Sequence, residues 1–353
     1  MTHAARIDEV ARAEARRRVD GLAKPLGALG RLEDLAVWLA GVQGTSAPRP
    51  PGDVSVVVFA GDHGVTAGDR GDGPVSAYPR AVTAAMVREF LRGGAAVNVL
   101  GRAHDARVRV VDLGVDDDLA DTPSDVRRHK VRRGSGAIDR EDALTADEAA
   151  AGLAAGRAVA DEEIDAGADL LVPGDMGIGN TTVAATLVGA VLCLDADEVV
   201  GRGTGVDDET WRHKRDVVAA ALERARPHGE DPVGLLRTVG SADLAAGTGF
   251  LLRAAERGTP VLLDGVVSGA CALLAERMAP GAVAWWCAGH RSTEPAHRAA
   301  LASLGLAPIL DLELRLGEAS GALTALPVLQ TAALLLAGMT TLESVAPPVT
   351  EPV

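Results

Sequence analysis

Short apolar runs alternate with longer helical patterns along most of the chain. Val54–Phe59, Val108–Leu113, Asp169–Pro173, Val261–Asp264 and Val283–Cys287 are brief and rich in Val and Leu. Runs of this length without polar alternation predict strands covered on both faces. The stretches between them predict helices: one ending near Leu100, then Ala146–Ala166, Thr181–Leu194, Val267–Met278 and Pro295–Leu304. The alternation predicts an α/β fold with a mostly parallel sheet and helices on both faces. The two ends depart from it. Residues 5–23 are polar and read as an exposed helix, Pro25 and nearby glycines interrupt it, and a second helix follows from about Leu32 to Val42. Ala322–Met339 is almost wholly apolar and reads as a buried helix. Residues 1–50 with 321–353 are therefore expected to form a small helical subdomain, and 51–320 a large α/β domain. The Pro/Gly/Ser-rich stretch from Gln43 to Asp53 marks their boundary.

In open parallel sheets, ligands bind beyond the carboxyl ends of the strands. The polar residues of this chain collect there. Asp62 and His63 follow the first strand, and Asp264 and Ser268 follow the fourth. Gly289-His-Arg-Ser-Thr-Glu294 follows the fifth. After the third comes Gly174-Asp-Met-Gly-Ile-Gly-Asn-Thr-Thr182. There Gly177 and Gly179 allow a ligand close to the backbone, and Asn180, Thr181 and Thr182 can cap the next helix. The helix N-terminus is a ready anion site. As a bare glycine loop it reads equally as a tight turn. Gly201-Arg-Gly-Thr-Gly205 is a second glycine loop. Lys214, on the helix after it, can pair with a phosphate or simply be a solvated lysine among Arg212, His213 and Arg215. Asp62 beside His63 suggests a dyad, but neighbours in sequence seldom face each other, so a structural histidine is expected.

Leu312, Leu314 and Leu316 alternate with polar residues, as in a strand, and lead into Gly317-Glu-Ala-Ser-Gly321. Glu318 is thus one acid on a glycine hinge between two apolar elements. A general base needs such a setting: a carboxylate aimed into a cavity and partly desolvated. Taken alone, a solvated turn acid is the commoner reading of such a residue.

Composition narrows the classes. Of 353 residues 47% are hydrophobic but only 2% aromatic, so the core is built from Ala, Val and Leu. The formal net charge of −14 opposes binding to nucleic acid, which demands a basic surface. Cys193, Cys271 and Cys287 lie far apart in apolar runs, as reduced thiols of a cytoplasmic protein would. No His, Cys, Asp or Glu set has metal-ligand spacing, so neither metal nor other cofactor is expected. The N-terminus lacks an apolar signal core. No apolar run reaches membrane-spanning length uninterrupted, since Pro327 and Gln330 fall within 322–339.

Taken in order, Lys24-Pro-Leu-Gly-Ala-Leu-Gly-Arg-Leu-Glu33, Phe59-Ala-Gly-Asp-His-Gly-Val65, Val75-Ser-Ala-Tyr-Pro79, Pro173–Thr182, Gly201–Gly205, Gly289–Ser292 and Arg315–Ala322 resemble the nicotinate-nucleotide–dimethylbenzimidazole phosphoribosyltransferase family. The resemblance covers about residues 20–345. It implies a Rossmann-like sheet, a homodimer, and transfer of phosphoribose from nicotinate mononucleotide to dimethylbenzimidazole without a metal. The products are α-ribazole phosphate and nicotinate, in the lower-ligand branch of cobalamin synthesis. By the same resemblance Glu318 is the base that deprotonates the attacking benzimidazole. The loop with Gly177, Gly179, Asn180 and Thr181 holds the nucleotide phosphate together with Lys214. Ser292 lies beside the nucleotide, and Asp264 lies near its ribose or base. Ser76, Tyr78, Met86 and Leu316 line the benzimidazole pocket. Asp175 stands where the family usually has Glu, either as a second acid/base or as an orienter of its loop. Ala28 replaces a usual Ser, Ala85 a usual Gln, and Ser241-Ala-Asp243 a usual Gly-Phe-Glu. These departures leave open another acceptor base within the family. A nicotinate-nucleotide hydrolase using water is the alternative activity.

Overall fold

A computed structural model of the chain describes residues 3–66 and 74–345. The stretch from Gly68, which reads as a mobile loop in the sequence, lies in residues 67–73, outside the described residues. The chain divides into two compact units, Arg6–Pro51 with Leu326 onward, and Gly52–Ala325 with the residues before Arg6.

In the smaller unit α1 (Glu9–Asp20) is capped by Asp8, whose Oδ1 accepts the amides of Val10 and Ala11 at 2.9 Å. Helix α2 (Arg31–Gln43) ends at Gly44 in the left-handed conformation, φ 64°, which stops a helix without a Cβ clash.

The larger unit begins with β1 (Val54–Gly61), all eight residues of which are buried. Helices α3 (Val82–Arg92) and α4 (Ala96–Ala103) follow, then β2 (Arg107–Gly114). One continuous helix to Leu100 is expected from the sequence, but Gly93 turns left-handed at φ 83° and divides it. Helix α5 (Ala146–Asp165) opens with a capping box: the Glu148 amide donates to Thr145 Oγ1, and the Thr145 amide to Glu148 Oε2. Such a cap stabilises by about 1 kcal/mol. Then come β3 (Leu170–Met176), α6 (Asn180–Leu192), α7 (Ala196–Val199), α8 (Asp208–Ala225), α9 (Pro232–Val239) and α10 (Ala242–Arg257). The last elements of the sheet region are β4 (Val261–Leu263), α11 (Val266–Met278), β5 (Trp286–Ala288) and α12 (Pro295–Leu304). The fifth strand starts later than its apolar run, because Ala282–Trp285 form a 3-10 turn.

The strands form one parallel sheet in the order β2-β1-β3-β4-β5. The chain leaves β1 for one edge and returns to extend the other. The ends of β1 and β3 are therefore the switch point where such sheets open a crevice. Uninterrupted burial along β1 and most of β3 means both faces of the sheet are covered. Helix α10 packs on α5 and against β1 and β2, and α11 packs against β3, α6 and α12. Among the few aromatics, Phe59 meets Phe250 edge-on, with centroids 5.4 Å apart.

Residues 311–317 form no strand, contrary to their alternating leucines; Leu312 and Leu316 are each 57% exposed. The alternation here serves an irregular loop that leads into α13 (Ser320–Gly338) and then α14 (Leu342–Val345). Helix α13 is long and apolar enough to span a membrane by length and composition, yet half of it is buried inside the protein, as in a core helix.

Candidate active site

The cleft lies in the larger unit at the carboxyl ends of β3, β4 and β5. It holds about 470 Å³ of empty space, solvent at its mouth included, and Asp175, Asn180, Thr181, Asp264, Ser292 and Leu316 line it. That size suits a small organic ligand.

Glu318 sits at the edge of this cleft, next to the lining residue Gly317. It is buried, at 6% exposure. Gly317, Glu318 and Ala319 take left-handed φ of 81°, 60° and 68° in succession. For the two residues with a Cβ this costs on the order of 1–2 kcal/mol each. The surroundings hold the kink in place. Asp264 accepts the Ala319 amide on Oδ2 at 3.1 Å and the Ala322 amide on Oδ1 at 3.0 Å, which caps the start of α13. A side chain at Gly174 would strike the Glu318–Ala319 peptide at 2.9 Å, so only glycine lets the loop lie on β3. Burial, and then the neighbouring charge of Asp264, push the Glu318 carboxyl up to about 7. A carboxylate tuned there is half ionised near neutral pH and strongly basic for its class.

Asp175 stands one residue before the end of β3, and its Oδ1 accepts Asn180 Nδ2 at 2.7 Å. Burial raises its carboxyl well above the ordinary range, and Asp243 adds to the rise. Lys214 is 1% exposed; its Nζ donates to Thr181 Oγ1 at 2.9 Å and to Gly201 O at 3.3 Å. Burial lowers its pKa, and the charge of Glu294 opposes that shift. The second glycine loop is tied down by the Gly203 amide donating to Glu294 Oε1 at 2.8 Å, and by Arg315 donating to Gly203 O at 2.7 Å. The structure thus buries Lys214 behind Thr181 of the cleft wall rather than leaving it in solvent.

Asn180, Thr181 and Thr182 do not cap α6. The cap position is Gly179, left-handed at φ 93°, with no side chain satisfying the first amides. Asn180 is spent on Asp175, and Gly177 packs under Gly61 O and His63. His63 is wholly buried and faces Asp243 Oδ2 at 3.5 Å rather than its neighbour Asp62. The Asp62 carboxylate instead accepts the Asp116 amide. Ser292 Oγ accepts the Glu294 amide, and the Ser292 amide donates to His297 Nδ1 at 3.1 Å. Burial, with the charge of His290 next, lowers His297 to about 4, which keeps it a neutral acceptor.

A sequence profile of a family described as phosphoribosyltransferase matches residues 4–346. A nicotinate-nucleotide–dimethylbenzimidazole phosphoribosyltransferase from Mycobacterium tuberculosis is 57% identical over 335 residues, covering 95% of this chain and 91% of its own. The chain belongs to the nicotinate-nucleotide–dimethylbenzimidazole phosphoribosyltransferase family. A relative of the same name from Mycobacterium avium is 56% identical and covers 95% of this chain and 94% of its own. Among solved structures, CobT from Thermus thermophilus matches with a TM-score of 0.89 at 48% identity, covering 95% of this chain and 98% of its own.

Family membership does not by itself distribute roles among these side chains. Ser76 is buried and its Oγ lies 3.3 Å from Thr204 Oγ1, which anchors it to the Gly201–Gly205 loop. Tyr78 is 56% exposed and Met86 is half-buried on α3, and neither is among the residues described as lining the cleft. Both oxygens of Asp264 are already engaged by amides, so its geometry is that of a support for the Glu318 loop. Asp243, which the sequence marks only as part of a departure from the family pattern, lies beside His63, and Glu294, which it marks only as the end of a loop, holds the Gly203 amide. The available signal for Asp243 was an acid in the first turn of an otherwise apolar helix. Among the described residues no group of His, Cys, Asp and Glu could hold a metal ion.

Proposed function

We propose that Glu318 is the general base of this phosphoribosyltransferase and that the cleft beside it takes nicotinate mononucleotide. The reaction moves phosphoribose from nicotinate mononucleotide to dimethylbenzimidazole. One benzimidazole nitrogen attacks the ribose anomeric carbon, the bond to the pyridinium nitrogen breaks, and nicotinate leaves. The proton from the other benzimidazole nitrogen goes to Glu318. Attack opposite the leaving group inverts β to α. The observation that carries this reading is a buried carboxyl raised to about 7 at the cleft edge, with no cation among the causes of its shift.

The uncapped start of α6, Lys214 and Ser292 hold the phosphate in this reading. A helix N-terminus with free amides suits an anion, and a bound phosphate would restore the charge that burial disfavours on Lys214. The exposed Leu316 at the cleft is surface that the acceptor base would cover, and the exposed Tyr78 and Leu312 are apolar surface that a partner subunit of a homodimer would cover. Cys193, Cys271 and Cys287 form no disulfide, which fits a cytoplasmic location. The test is incubation with nicotinate mononucleotide, with and without dimethylbenzimidazole, followed by mass detection of products. α-Ribazole phosphate forming only with the base supports the transferase; nicotinate released equally without it would make the protein a hydrolase.

A further inference from the structure

Three acids line the cleft, Asp175, Asp264 and Glu294, and among the described residues Arg315 is the one lysine or arginine that does. The acids are engaged. Asp175 takes Asn180, Asp264 takes the Ala319 and Ala322 amides, and Glu294 takes the Gly203 amide. The histidine of the lining, His290, stands 3.6 Å from Asp264 Oδ1. Arg315 is exposed on the loop that leads to Glu318. Arginines close by in the chain have carboxylate partners: Arg202 pairs with Asp208, and Arg291 with Asp311. Arg315 has none among the described residues, and its one hydrogen bond there runs from Nη1 to Gly203 O at 2.7 Å. Gly205, left-handed at φ 89°, lies against the same group; a Cβ there would stand 3.4 Å from Nη1 and 3.5 Å from Nη2. The guanidinium is thus anchored through Nη1, while its Nε–Nη2 edge, with two parallel N–H donors, stays uncommitted. Gly203 also touches the other cation. A Cβ on it would meet Thr181 Oγ1 at 2.9 Å and Lys214 Nζ at 3.1 Å. One glycine therefore has Thr181 and the buried lysine at its α-carbon and the arginine at its carbonyl.

We propose that Arg315 is a specificity-determining residue: its open edge takes the ring carboxylate of nicotinate mononucleotide and so selects the acid over its amide. This inference rests on the cleft being the nucleotide site. The nucleotide carries two anionic groups, a phosphate and a ring carboxylate. The start of α6, with Thr181 and Lys214 behind it, suits the phosphate. A lining with three acids repels the second anion unless a cation meets it, and Arg315 is the cation with donors to spare. Its planar edge matches a carboxylate through two parallel N–H···O bonds. A carboxamide in the same place offers one acceptor oxygen, and its NH2 group faces a donor. One bond is lost, and the cation keeps no counter-charge.

The test is calorimetric titration of the full-length protein with nicotinate mononucleotide and with nicotinamide mononucleotide. The parent should bind the acid at least about tenfold more tightly, the size of a charge-assisted bond facing solvent. In Arg315→Gln the acid should lose about tenfold or more and the amide stay within about threefold, so that the preference disappears. Arg315→Lys keeps a donor for Gly203 O but not the planar edge, so it should narrow the preference, and it decides alone if Arg315→Gln does not fold. Equal weakening of both nucleotides would overturn the proposal, because Arg315 would then serve the phosphate or only hold the Gly201–Gly205 loop. Unchanged binding of both, or a parent without preference, would overturn it too. Lys214→Met, titrated in parallel, should weaken both nucleotides alike. If Arg315→Gln is silent while Lys214→Met weakens both, the cleft stands and this proposal alone fails. If both variants are silent, the nucleotide binds elsewhere and the two readings fall together. Product formation enters no arm, so a failed transferase assay is told apart from either.

Discussion

Glu33 in the smaller unit and Glu318 in the larger are both buried glutamates, 5% and 6% exposed. Burial pushes Glu33 up as well, yet its carboxyl ends below the ordinary value. Lys24 lies 2.9 Å from Oε1, the Leu29 amide donates to the same oxygen, and the charges of Lys24 and Arg16 add to the lowering. Among the described residues Glu318 has no such partner, and the charge that acts on it is the like charge of Asp264. Desolvation therefore does not by itself make a base. What separates the two is a cation withheld, together with a backbone that holds the acid in a conformation its own side chain disfavours. One glutamate is a bolt, and the other is kept reactive at a cost in stability.

The largest effect that sharpens this contrast is expected at the bolt. Lys24→Met leaves Glu33 buried without its cation and should destabilise the protein by about 3 to 5 kcal/mol, read by urea unfolding. A loss below 1 kcal/mol would show that the pair is not structural.

The second effect has the opposite sign. The folded pKa of Glu318, about 7, exceeds its ordinary 4.5, so the folded protein binds this proton more tightly than the unfolded chain does. The associated stability is fully present below about pH 4.5 and is lost as pH rises through 7. Glu318→Gln should thus be more stable than the parent by about 3 kcal/mol at pH 8 and nearly equal to it at pH 4. A variant less stable at pH 8 would mean that ionised Glu318 has a partner.

Next comes the buried cation behind Thr181 of the cleft wall. Lys214→Met should raise the KM for nicotinate mononucleotide by about 10- to 100-fold, the size of a charge-assisted hydrogen bond. A change confined to kcat would move Lys214 from binding to chemistry. The smallest effect is the pH profile. Turnover per encounter, kcat/KM, should rise about tenfold per pH unit below 7 and level off above it, because the base must be ionised in the free enzyme. A profile flat between pH 5 and 8 would remove Glu318 from the rate.

How much of this was legible before the fold was known depended on the length scale of each signal. The sheet was legible because β1, the start of β3 and β4 are nearly continuous Val/Leu runs, and parallel strands covered on both faces tolerate them, while Arg107 and Arg109 interrupt β2. The hinge at Glu318 was legible because Gly317 and Gly321 bracket an acid before an apolar helix. The leucine alternation at 312–316 misled, because the same period describes a loop whose leucines face solvent. The α3/α4 break at Gly93 was passed over, since a glycine inside a helical pattern is ambiguous until its φ is known. The capping roles of Asn180 to Thr182 failed by one residue, because Gly179 takes the cap position. The nearness of Asp175 to Asp243 was not legible at all. Those residues are 68 positions apart and come together only because β3 and α10 line one cavity.

The claim that an unpaired, buried Glu318 is the base is tested most directly by single-turnover formation of α-ribazole phosphate in Glu318→Gln at saturating nucleotide, with nucleotide affinity measured in parallel. The expected result is a rate lower by about 10²- to 10⁴-fold, the usual contribution of a positioned base, with nucleotide affinity kept within about threefold. A near-normal rate with intact binding would contradict the account, because proton removal would then lie elsewhere.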